Sequence, residues 1–148
     1  MKSIHGIVFV SSLFLLCALQ TNCVVGRGLS TPGERATALD IARSLEQDPL
    51  AKDAPAKRQW LLKWMIEAPD IHFKSCVRLL DPDVGNQYRY SAEVNQQITF
   101  SAAAFTLEHP DLRNDRDAYT AGLEGALRAY ETLVKSAPDA KLPFLDAH

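Results

Sequence analysis

Two residues have the types and spacing for polar chemistry. His72 and Cys76 stand four apart, so on a helix they share one face. A thiolate–imidazole pair needs that contact, and so does half of a metal site. A closed zinc site needs four ligands. His109 and His148 are the only other histidines outside the apolar leader, which holds His5, and Cys17 and Cys23 fall in or beside that leader. The expectation is therefore no metal and no cofactor, with Cys76 in the core and His72 at the surface or locally bonded. His72 and Cys76 remain the pair on which a metal site or a thiol-dependent enzyme would rest.

Aromatic residues give the second constellation. Trp60 and Trp64 lie one helical turn apart, and Tyr88 and Tyr90 follow. Paired indoles can form a stacking platform for a ligand, a glycan or a peptide, and equally can fill a core with their large apolar area. Trp60, Trp64, Tyr88 and Tyr90 are the candidate ligand-binding residues. Tyr88-Arg89-Tyr90 interleaves charge and rings, but a tripeptide in a chain of net charge -2 carries no basic surplus for nucleic acid. Asp81-x-Asp83-x-Gly85-Asn86 has the look of a calcium loop, with its glycine one place early and Ala92 where a bidentate Glu belongs. A turn accounts for it better. The acids and arginines from Asp111 to Asp117 read as a solvated helix entry, with carboxylates suited to the positive end of the helix dipole. No phosphate loop, nucleophile elbow, zinc-protease motif or haem-attachment motif occurs.

These residues need elements to position them. The chain has 148 residues, 47% hydrophobic and 23% charged, which suits one ordinary domain. Ile4 to Leu19 is almost wholly apolar behind Lys2, too short to span a bilayer, and reads as a secretory signal. Val24 and Gly26 suit the -3 and -1 positions of a cut before Arg27. Residues 1–26 are thus expected to be a signal peptide and 27–148 a single helical domain, secreted or periplasmic, without membrane insertion after cleavage. Neither Cys17 nor Cys23 follows a small residue, so lipidation is not expected.

The remainder reads as a row of helices. Thr31 caps, Pro32 takes the first helical position and Glu34 can reach back, ahead of an Ala38, Ile41, Ala42, Leu45 stripe. Asp53-Ala54-Pro55 opens a second helix. Trp60, Leu61, Trp64, Met65 and Ala68 form its stripe, and Leu62 and Ile66 widen it, which predicts cover on more than one side. Pro69 stops it. Asp70 can cap a third helix with Phe73, Cys76, Val77 and Leu80 inward. A fourth runs from about Tyr88 to Glu108, with Tyr90, Val94, Ile98, Ala102 and Phe105 inward. Asn114 or Asp115 starts the longest, with Tyr119, Leu123, Ala126, Tyr130, Leu133 and Ala137 inward and Pro138 beyond. Leu142, Phe144 and Leu145 are expected to fold back. No run alternates long enough for a strand. The expected fold is all-α, a compact bundle or short array of about five antiparallel helices.

Residues 125–139, through Ala126, Tyr130 and Pro138, resemble the second helix of a tetratricopeptide repeat, which implies helical-hairpin packing. The upstream first-helix pattern and a 34-residue period are absent. Residues 60–71, from Trp60 to Ile71, resemble small secreted bacterial helical proteins without assigned activity, which implies a fold and a location. The sequence thus points to a protein-interaction or self-assembly module. A small-ligand or metal carrier is the alternative, and a thiol-dependent enzyme the second alternative. The expected partner is another protein or a second copy, with no nucleic acid.

Overall fold

The computed structural model describes residues 27–72, 87–112, 114–143 and 145–146. Its first helix, α1 (Pro32–Gln47), begins as its sequence requires. The Glu34 amide donates to Thr31 Oγ1 at 3.2 Å, and the Thr31 amide donates back to Glu34 Oε2 at 2.7 Å. This reciprocal box satisfies two amides that the first turn cannot pair internally. Helix α2 (Ala54–Glu67) lacks a side-chain cap, and Asp53 instead pairs with Lys57 at 3.0 Å. Helix α3 is Ser91–Glu108, and α4 is Asp115–Ser136, where Asn114 Oδ1 accepts from the Arg116 amide at 3.0 Å. A single 3-10 turn, Pro138–Ala140, follows α4. Among the described residues these four helices and no strand make an all-α fold. The expected third helix, with Cys76 on it, lies outside the described residues.

Helices α3 and α4 pack antiparallel as the central pair. A methyl group on Gly122 would meet the Ile98 carbonyl oxygen at 2.6 Å, and one on Gly125 would collide with Ser101. Two glycines on one face therefore let the backbones approach more closely than any side chain permits. Across this pair, α1 and α2 bring Ala38, Ala42, Leu45, Leu61, Trp64 and Met65 against Phe100, Ala103 and Ala104. At the other end, Tyr90, Val94, Tyr130, Leu133 and Leu145 make a second cluster. The Leu142 amide donates to the Tyr130 hydroxyl oxygen at 2.7 Å, and the Tyr130 hydroxyl donates to Asp146 at 2.8 Å. These bonds fix the folded-back tail.

Buried polar groups tie the helices together. Glu46 accepts from Ser101, from Arg43 at 2.8 Å and from Arg128 at 3.2 Å, so one carboxylate joins α1, α3 and α4. Gln97 donates to the Ala42 carbonyl at 3.1 Å and to Ser101 Oγ at 3.0 Å. Every member has a partner, which is the condition for burying such a network without a large penalty.

Three expectations change. The widened α2 stripe is not covered on two sides: Leu61, Trp64, Met65 and Ala68 are buried, while Ile66 is 76% exposed and Leu62 is exposed. Only the 61, 64, 65, 68 face meets α1 and α3. Tyr119, expected inside, is 37% exposed, because it lies in the opening turns of α4, beyond the close approach at Gly122. Phe105 and Leu123 are only partly covered.

Candidate binding cleft

The aromatic candidates divide between two regions. Trp60 and Trp64 stack nearly parallel, with centroids 6.1 Å apart, but Trp64 is 2% exposed and Trp60 38%. Trp64 is a core residue whose indole N–H has no partner among the described residues. Tyr88 and Tyr90 meet edge to face at 5.8 Å in the other cluster. The Tyr88 hydroxyl donates to the Ala140 carbonyl at 2.7 Å, and the Tyr90 hydroxyl donates to Asp139 at 3.3 Å. Burial pushes the Tyr88 phenol well above its ordinary pKa, so it acts as a neutral donor that anchors the 3-10 turn. The structure thus brings the aromatics together as two separate pairs, Trp64 inside one core with Trp60 exposed beside it, and Tyr88 with Tyr90 in the other cluster. His72 is exposed, and Cys76 lies outside the described residues. Among the described residues no three His, Cys, Asp or Glu side chains are grouped to hold a metal ion, and no helix is long and apolar enough to cross a membrane.

A cleft of about 480 Å³ opens elsewhere, where the first turns of α4 diverge from α3. Its floor is Ala102, Ala103, Thr106 and Leu107 of α3. Ala118 and Tyr119 of α4 form one wall, and Arg35 of α1 with Asp70, Ile71 and His72 forms the other. Pro110 and Leu112 close one end, and Leu112 is 51% exposed. The small side chains at 102, 103 and 118 create the space, since larger ones would fill it.

Hydrogen bonds hold the Arg35 wall. The Ser30 amide and hydroxyl donate to the two Asp70 oxygens at 2.8 and 2.7 Å. Arg35 donates from Nε to Ser30 Oγ at 2.7 Å and from Nη2 to Asp70 Oδ2 at 2.6 Å. The two Ser30 bonds, followed by the Arg35 guanidinium, hold the Asp70 carboxyl well below its ordinary range. Asp70 is thus engaged by residues far earlier in the chain, and the helix it is expected to cap lies outside the described residues. Among the described residues Arg35 Nη1, the Tyr119 hydroxyl and the His72 imidazole keep no hydrogen-bond partner.

Arg35, Thr106, Ala103 and Ala118 carry no sequence motif, and their grouping comes from tertiary placement. The one available signal was the run of alanines at 102–104, which permits close approach or empty space. Comparison with family models, curated proteins and solved structures gave no match.

Proposed function

We propose that this chain is an exported helical binding protein, secreted or periplasmic, that acts as a protein-interaction module through the cleft. Its fold in this reading is a compact antiparallel bundle of about five helices released from a signal peptide cut before Arg27. It works by holding another protein, or a second copy of itself, rather than by making or breaking bonds. One observation carries this reading: two large apolar side chains, Leu112 and Tyr119, stand exposed on the rim of a formed cleft. Apolar surface gathered around a concavity marks interaction sites, whereas single scattered residues do not.

A small-ligand carrier is the second reading, favoured by the cleft volume of about 480 Å³, which lies within the range of small-molecule sites. Capture from envelope extract separates the two. Immobilised residues 27–148 should retain one discrete protein, or self-associate in sedimentation across concentration. Leu112→Ser with Tyr119→Ser should abolish this. A strict monomer that retains nothing contradicts the interaction reading.

A further inference from the structure

We infer that the cleft recognises the free C-terminal carboxylate of a partner polypeptide whose last residue is apolar. The inference rests on the cleft being the interaction site and names what enters it. The open hydrogen-bonding capacity of the walls consists mainly of donors. Arg35 spends Nε on Ser30 and one Nη2 hydrogen on Asp70, and its Nη1 edge stays free among the described residues. The Tyr119 hydroxyl and the His72 ring are likewise unengaged among them. Both acids of the lining already have partners. Asp70 accepts three bonds, and Asp115 has its own partner. Thr106 donates back to the Ala102 carbonyl at 3.0 Å, and Asn114 caps α4.

A ligand that answers this surface brings acceptor oxygens, and a carboxylate is the strongest acceptor a polypeptide offers to a guanidinium. The Ser30–Asp70 clamp matters here because it fixes the plane of Arg35 before anything binds, which lowers the ordering cost of association. Below the donors, Ala102, Ala103 and Leu107 leave an apolar recess for one side chain beside the carboxylate. A chain terminus supplies both groups on adjacent atoms, while an internal segment supplies the side chain without the charge.

The test is titration calorimetry of residues 27–148 with an acetylated hexapeptide ending in leucine, as free acid and as C-terminal amide. The acid should bind about tenfold or more tightly than the amide, the difference expected for charge-assisted bonds. Tyr119→Phe, a change at an exposed site, should weaken the acid severalfold and the amide less, because a carboxylate is the stronger acceptor. Ala118→Trp, which fills the recess from a partly exposed helical position, should abolish binding of both. Equal binding of acid and amide overturns carboxylate recognition and leaves the cleft as a partner site. Binding of neither peptide overturns the inference, and extract capture then decides separately whether the cleft takes any protein. Binding of 4-methylpentanoate as tight as that of the peptide acid overturns it in favour of a free small acid. Binding that survives Ala118→Trp overturns the cleft as the site altogether.

Discussion

The Ser101 hydroxyl of α3 donates to Glu46 Oε1 of α1 at 2.6 Å, and both side chains are buried. This bond sits where α1 crosses the α3–α4 pair, and Arg43 and Arg128 complete the carboxylate's shell. Glu46→Ala should strip these donors of their acceptor and cost about 2 kcal/mol, below the full figure for a buried pair because both arginines reach solvent. Ser101→Ala should cost about 1 kcal/mol. The double variant should fall short of the sum by more than about 0.5 kcal/mol, since the two groups share one bond. Urea denaturation of all four proteins measures this.

The glycines separate close approach from mere flexibility. Gly125→Ala drives a methyl group into Ser101 and the Glu46 carboxylate, and Gly122→Ala into the Ile98 carbonyl. Each should destabilise by about 1–3 kcal/mol, the usual range for overpacking. Gly33 in α1 has nothing within 4 Å of an added methyl group. Gly33→Ala should therefore stabilise by about 0.5 kcal/mol through helix propensity. Thermal melts should show opposite signs.

Stacking does not make Trp60 and Trp64 equivalent. Trp64→Ala empties a core position and should cost about 3–5 kcal/mol. Trp60→Ala removes a ring that is largely in water on one side and should cost about 1 kcal/mol or less. A Trp60→Phe protein should retain blue-shifted emission from the buried Trp64, and that emission should move red on unfolding.

Acid should release the Ser30–Asp70–Arg35 clamp. The Asp70 carboxyl is held below its ordinary value of 3.8 by Ser30 first and Arg35 after it. A group depressed in the folded state stabilises fully above its unfolded pKa, and that contribution fades as pH falls toward its folded pKa. Stability should thus decline below about pH 4. Asp70→Asn should flatten this part of the profile, as measured by urea midpoints from pH 6 down to pH 2.

Helix starts were legible where the chemistry is local. Thr31, Pro32 and Glu34 form the expected cap, and Asn114 caps α4 as its position before Asp115 implies. Apolar periodicity likewise placed Ala38, Ala42, Leu45, Val94, Ile98, Ala126, Tyr130 and Leu133 inside. Polar burial was not legible. Glu46, Gln97 and Ser101 carry no apolar signal of their own, and only a neighbouring helix makes them interior. Trp60 and Trp64 drew notice by type, while the cleft is made by what Ala102, Ala103 and Ala118 lack. An absence of volume has no period and no motif, so it emerges only once α1, α3 and α4 are placed together.

The proposed partner site is the cleft. The most direct measurement replaces Tyr119 with a photoreactive benzoyl-phenylalanine and irradiates the protein in envelope extract. Glu131, exposed on α4 and outside the cleft lining, serves as the comparison position. One discrete protein adduct at position 119 and none at 131 is the predicted result. No adduct at 119, or the same adducts at both positions, would rule out the cleft as the partner site.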